Sequence, residues 1–470
     1  MKERLAEALS HISEKHIAEA GNAKRRHRRK ILRTLAAVLA VVILFNLPYI
    51  PGRVNAKTIS EASVSRAMTR PDYDKYRDRD AFDTDLAAYL AQNESQQAAT
   101  ELANTDLAGF FADSTLLYME GATDNRVWSP VNGFIALAML AEVTAGNSRQ
   151  QILDALNAPD VNTLRSRVEA LWEDVYFRHE DGYEVCYLAN SLWLDKGLGY
   201  NQETMDALAY HHHASVFQTE LQDASAGDAL RTWLNNNTGG LLKDYTKNAG
   251  FGPEAVLTLA STVYLQGKWS SEFDSGKNTH EIFHAPSGDR GVTFMNKKQY
   301  QTNYYWGDSF GAVKLGLKNR TQMWFFLPDE GKTVDDILRE GQYLEYLSGE
   351  NANSKYMKVN LSVPAFDIAS GCDMAGIFRE MGITDVFSLG TADFTAITAD
   401  TPVFLAAANQ AARVIIDEQG VKAASYIELP APGAAMPPEE IIDFILDRPF
   451  LFVIASDQGT PLFAGVVNEP

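Results

Sequence analysis

The chain has 470 residues, 46% of them hydrophobic and 10% aromatic, enough for two or three ordinary domains or for one large one with extra segments. Its net charge of −19 excludes nucleic acid and polyanions such as heparin as partners, because both need a basic footprint. Two cysteines, Cys186 and Cys372, are too few for a disulfide framework and lack metal-type spacing; they read as isolated buried thiols, with one lone disulfide as the alternative.

Residues 1–30 form a polar arm in which nine Lys/Arg face four Glu, ending in the basic run KRRHRRK (24–30). The next segment, ILRTLAAVLAVVILFNLPYIP (31–51), is unbroken apolar from Leu35 to Phe45. A spanning helix needs about 20 residues, with roughly 17 as the lower limit. The long arm before it and the lack of an A-x-A site after it predict an uncleaved transmembrane signal anchor over 31–51. The basic arm then stays cytoplasmic and everything after Pro51 lies outside. Secretion after signal cleavage is the alternative. Residues 52–100 are polar and read as a linker, a solvated tether. Within it DKYRDRDAFDTD (74–85) looks like a calcium loop but lacks the glycine and the closing glutamate.

From about Glu101 the periodicity becomes globular. LANTDLAGFFADSTLLYM (102–119) has helical spacing, and VWSPVNGFIALAMLAEVTAGNSRQQILDALN (127–157) reads as a strand end, a Ser-Pro helix start, a Gly stop and a second helix. VLTLASTVYLQGKW (256–269), MWFFLPDEG (323–331) and YMKVNLSVPAFDI (356–368) read as strands. Long helices first and most strands later predict α+β, with sheets partly covered by helices. Near the end, AARVIID (411–417) and DFILDRPFLFVI (443–454) are strand-like and flank DEQGVKAASYIELPAPGAAMPPEE (417–440). A connection of 24 residues rich in small side chains and proline is functional or disordered.

Enzyme motifs do not account for it. The chain has no G-x-S-x-G elbow, no H-E-x-x-H and no phosphate-cradling glycine loop, so no catalytic residues are expected. The HHH run (211–213) is a weak metal candidate, because successive residues on a helix splay apart. Asn93 and Asn319 head glycosylation sequons.

Several fragments, in this order, resemble the serpin family across about 101–470. They are the Ser-Pro helix above, NSLWLDKG (190–197), TWLNNNTGGLLKDY (232–245), LASTVYLQGKWSSEF (259–273), VNLSVPAFDIASG (359–371), MGITDVFS (381–388), ADFTAI (392–397), NQAARVIIDEQG (409–420) and the C-terminal DFILDRPFLFVIASDQGTPLFAGVVNEP (443–470). The resemblance implies a serpin of bacterial, membrane-anchored type: an α+β fold with about three β-sheets, helices clustered in the N-terminal half, and an exposed reactive-centre loop over about 417–440. It makes Ser129, Pro130 and Gln410 shutter residues and Trp269 a breach residue. Three positions depart from the family pattern: Ser261 stands where asparagine is usual, Asn132 where serine is common, and Gln410 where histidine aligns.

The implied activity is a suicide trap. A serine or cysteine protease cleaves the loop and is acylated, and the freed hinge enters the main sheet as a new strand, a use of strand insertion and stored strain for which serpins are the standing example. The hinge would comprise Glu418, Gly420, Val421, Ala423, Ala424 and Ser425. Gly420 is the pivot. Val421, Ala423, Ser425 and Ile427 share one face and are small or apolar enough to bury, while Lys422, Ala424, Tyr426 and Glu428 share the other. Val421–Leu429 would add about 30 Å of strand. Tyr426 and Ile427 are bulky for this role, and Pro430 and Pro432 cannot donate to a ladder. Family spacing from the hinge glycine makes Ala434–Ala435 the reactive bond, with Ala435–Met436 the alternative. Small residues there suit elastase-like or subtilisin-like proteases and exclude trypsin-like ones. No cofactor is implied, and a monomer is expected. A non-inhibitory binding or carrier protein, or a serpin cleaved as a substrate, is the alternative function.

Overall fold

A computed structural model describes residues 52–63, 71–178, 185–243, 246–252, 255–318, 321–348, 353–399, 402–406, 408–421 and 439–470. The basic arm and the expected anchor lie outside this set. Among the described residues no helix is long and apolar enough to cross a membrane.

The segment 52–100, expected to be a solvated tether, is folded. The supposed tether contains a strand, β1 (Lys57–Ser60), a 3-10 turn at Tyr73–Lys75 and the first half of a 41-residue helix, α1 (Arg79–Met119). Asp78 of the calcium-loop-like stretch and Asp72 just before it are caps: Asp72 accepts from Asp74 N and Asp78 from Asp80 N, satisfying amides that the helix starts leave free. Tyr73 and Tyr76 pack edge-on against Phe82, at ring-centroid distances of 5.0 and 5.4 Å. Half-buried Phe82, Leu86, Tyr89 and Asn93 recur every three to four residues, a helical stripe masked in the sequence by the charges between them.

Helix α2 (Pro130–Val143) is buried at every residue, with Ser129 as N-cap and Pro130 at its first turn, where a missing N–H costs nothing. Then come α3 (Gly146–Ala155), α4 (Val161–Val175), α5 (Gln202–His211) and α6 (Ala224–Asn237), the last capped by Asp223. Three short helices follow: α7 (Val334–Glu340), α8 (Tyr343–Leu347) and α9 (Met374–Glu380). The longer described helices thus precede residue 240, as an α+β chain of this pattern should.

The strands form three sheets. The first runs β1, β5 (Ala214–Thr219), β4 (Val185–Asp195), β6 (Leu257–Lys268) and β14 (Gly420–Val421), with β3 (Phe177–Arg178) beside β4. The second runs β15 (Ile441–Ile445), β11 (Ser354–Pro364), β8 (Gly288–Trp306), β9 (Phe310–Gly316), β10 (Thr321–Pro328), β16 (Phe450–Ser456), β17 (Pro461–Val467) and β2 (Arg126–Trp128), with β7 (Thr279–Ala285) paired to β8. The third is a ribbon of β12 (Phe366–Asp373) and β13 (Asn409–Ile416). β16 and β17 are buried at every residue and, with Trp324, Phe325 and Phe326 of β10, anchor the main core; each such large side chain contributes roughly 1.5–3 kcal/mol. Cys186 and Cys372 are free and buried.

What positions the site is the relation of β6 to β13. Parts of the two strands come close, and among the described residues no ladder joins them. The last two residues of β6 pair with β14; the rest of that edge carries no partner strand among the described residues.

Candidate functional site: the loop hinge and the gap beneath it

The hinge begins with an Asx turn. Leaving β13, the Asp417 side chain accepts from the amides of Gln419 (2.9 Å) and Gly420 (3.1 Å), and its own amide donates to Gly420 O (3.1 Å). Burial pushes the Asp417 carboxyl up, against those two amide bonds that favour its charge. The turn reverses the chain so that Gly420 pairs with Lys268 and Val421 with Gly267. Val421 is buried. Gly420 has φ 152°, and a Cβ there would lie 2.4 Å from Gly267 O and 2.7 Å from Lys268 Cα. Glycine is required because the loop backbone lies directly against β6.

Trp269, fully buried just past β6, holds this turn twice. Its amide donates to Gln419 O (3.1 Å) and its indole N–H to Asp417 O (2.9 Å). Phe273 N donates to Glu418 O (2.9 Å), and Asn278 Nδ2 to the Glu418 carboxylate (2.5 Å). Beneath the 271–273 segment sits Lys297, whose Nζ donates to Ser271 O (2.7 Å) and Glu272 O (2.8 Å) and lies 4.5 Å from the Phe273 ring centre. Burial, with Lys277 adding to it, lowers its pKa to about 8. Asn278 and Lys297 carried no signal in the sequence, since both lie in unremarkable polar stretches. Asp417 was not among the expected hinge residues; its signal was the Asp-x-x-Gly spacing to Gly420, which allows an Asx turn.

Lower down, helix α2 holds both sides of the gap. On the β13 side, Ser129 N donates to Gln410 Oε1 (2.8 Å), Gln410 Nε2 donates back to Ser129 O (3.3 Å), and the Ser129 hydroxyl donates to Leu462 O (2.6 Å). On the β6 side, Asn132 Nδ2 donates to Ser261 O (3.3 Å), and the Ser261 hydroxyl lies between the amide oxygens of Asn132 and Asn190, the latter at 2.6 Å. The departures at 132 and 261 are therefore reciprocal: the serine and the asparagine have exchanged places across one contact. Asn190 continues the chain to His212 O (2.8 Å). His212, fully buried and held below the usual imidazole value by desolvation, donates from Nε2 to Glu142 (3.1 Å). Glu142 also receives Arg165 at 2.6 and 2.9 Å. Burial alone would raise the Glu142 pKa, but His212 and Arg165 outweigh it and bring it down to about 2.

The structure brings Ser129, Pro130 and Gln410 together under the gap, and Trp269, Glu418, Gly420 and Val421 at its top. Ala423, Ala424, Ser425, Ala434, Ala435 and Met436 lie outside the described residues. The HHH run does not converge: His212 turns to Glu142, while His213 Nε2 lies 3.6 Å from Glu169.

The chain leaves the β12–β13 ribbon through a tight turn and pairs with the end of β6 at Gly420–Val421, which sets the turn against the first sheet. The serpin profile, described as serine protease inhibitor, matches residues 109–470, and the chain belongs to the serpin family. It is 27% identical over 392 residues to alpha-1-antiproteinase F of Cavia porcellus, covering 82% of this chain and 93% of that protein. Similar solved structures include the thermophilic serpin Tengpin in its native state (TM-score 0.67, 22% identity, 78% and 93% covered) and thyroxine-binding globulin complexed with thyroxine (0.62, 21%, 77% and 99%). Missing motifs, on which the exclusion of an enzyme rested, give way to positive ground: the matched family is one of inhibitors. The bacterial type expected from the sequence draws no support from the curated relatives, which include proteins of Cavia porcellus and Equus caballus.

Proposed function

We propose that this chain is a suicide-type inhibitor of serine endopeptidases, extending to cysteine ones, with elastase-like or subtilisin-like preference for small residues. The observation that carries the reading is the pairing of Gly420–Val421 with the end of β6. A strand entering from the hinge would continue a ladder already begun, which avoids most of the cost of nucleating a new one. The bait is Ala434–Ala435, or Ala435–Met436, and the domain acts outside the cell on a single-pass anchor at 31–51, or free after cleavage. The boundaries proposed are 1–30 arm and 31–51 anchor; the 52–100 segment read as a linker carries β1 and the start of α1, and α1 runs without a break into the 101–470 serpin domain. Tyr426, Pro430 and Pro432 favour a second reading, a carrier or a serpin that is simply cut.

The test mixes the detergent-solubilised full chain with an elastase-like and a subtilisin-like protease. A covalent band that resists boiling, with a released peptide starting at Ala435 or Met436, is expected. Cleavage without that band would make the protein a substrate. A loop left uncut by both enzymes would move it to the carriers.

A further inference from the structure

A new strand can enter between β6 and β13 only if what restrains them moves, and besides α2 the segment after α6 spans both strands. After α6 the chain runs through 238–243. Gly239 packs on Tyr264 of β6, where an added Cβ would lie 2.8 Å from the phenol oxygen, and Leu241 O accepts Arg413 Nη1 of β13 at 3.0 Å. This crossing therefore touches both lips of the gap, and it hangs from the C-terminus of α6. Helix α6 itself sits on the first sheet through a satellite core of Ala229, Leu230 and Trp233 against Trp193 of β4 and Phe217 of β5.

The segment just after the expected anchor is bound to that same helix. Gly52 N donates to Asn236 Oδ1 (2.9 Å) and Asn236 Nδ2 donates back to Gly52 O (2.8 Å), a reciprocal pair two residues before the crossing begins. Gly52 lies close to Thr232, with 3.0 Å between a built Cβ and Thr232 Cγ2. Val54 and Ala56 pack on the α6 core. Then β1 adds an antiparallel edge to β5, with Lys57 opposite Gln218 and Thr58 opposite Phe217. Beyond it, Ser60 Oγ donates to Asp206 (2.9 Å) and Ser63 N to Ala209 O (2.9 Å), which ties the far end to α5.

We propose that residues 52–63 are a strap that holds α6 and its crossing shut over the gap, so that release of the strap speeds entry of the loop strand. The strap joins the moving part, α6, to the part of the sheet that stays, β5 and α5. Its N-terminal end leads into the predicted anchor, so proteolysis or tension there would act on α6 first. Two neutral hydrogen bonds lost at Asn236 correspond to roughly a tenfold faster opening. The proposal rests on the inhibitor reading only for its consequence; the restraint on α6 is measurable without a protease.

The experiment uses the full chain with Asn236→Ala and, separately, Val54→Asp. Hydrogen exchange is followed over 224–243 and 257–268, together with the rate at which warming makes the loop resistant to an elastase-like enzyme. Faster exchange in both segments and about tenfold faster acquisition of resistance are expected. If Val54→Asp frees the amides of 57–60 while 238–243 and 257–268 exchange at the wild-type rate, the strap does not restrain α6 and the proposal falls. Wild-type protein that neither traps a protease nor gains resistance on warming would overturn the inhibitor reading instead, with the exchange data still deciding the strap.

Discussion

Gly420 shows how a single position can be constrained twice. A conformation at φ 152° and a backbone 2.4 Å from where a Cβ would sit mean that Gly420→Glu breaks the β14–β6 pairing before any protease arrives. The expected outcome is loss of the covalent band with the loop still cut, measured as the ratio of cleaved to complexed protein; a wild-type ratio would sink loop insertion as the mechanism. Glu142 allows a pH prediction. Its pKa is about 2 in the fold against an ordinary 4.5, so the stability it contributes is present above about pH 4.5 and is lost as pH falls towards 2. The gap in thermal midpoint between wild type and Glu142→Gln should therefore be wide at pH 7 and narrow at pH 3. A gap that stays constant would mean that Arg165 and His212 do not hold the charge.

At the scale of elements, α2 is the part that both lips of the gap share. Asn132→Ala removes the amide group that faces Ser261 and leaves buried polar atoms without partners, at a cost of about 1–3 kcal/mol in denaturant unfolding. Asn132→Ser combined with Ser261→Asn, which restores the family's arrangement, should recover most of what either single change loses. Additive losses in the double mutant would show that the two positions are not coupled. The reciprocal exchange also shows what one sequence hides: each departure is visible alone, but that they compensate depends on a contact between residues 129 positions apart. Helix α1 was half legible. Its second half shows the apolar period plainly, whereas its first half buries one side chain in three or four among aspartates, below what a pattern of charges reveals.

For the molecule as a whole, the prediction concerns the target. The small residues proposed for the bait favour a protease that does not require a basic bait residue, so the full chain should leave a trypsin-like enzyme active while an elastase-like or subtilisin-like one loses activity. Residual activity after incubation at equal concentrations measures it, and inhibition of the trypsin-like enzyme would overturn the assignment of the bond. The family and the α+β class were legible in the residues alone, because they rest on local signals: a Ser-Pro helix start, β-branched runs and an ordered set of short fragments. The sequence could not determine that 52–63 folds onto α6, that Lys297 and Asn278 support the hinge, or that parts of β6 and β13 come close without a ladder. Those facts were decided by the tertiary structure, because each depends on which edges and polar groups far apart in the chain come close to one another.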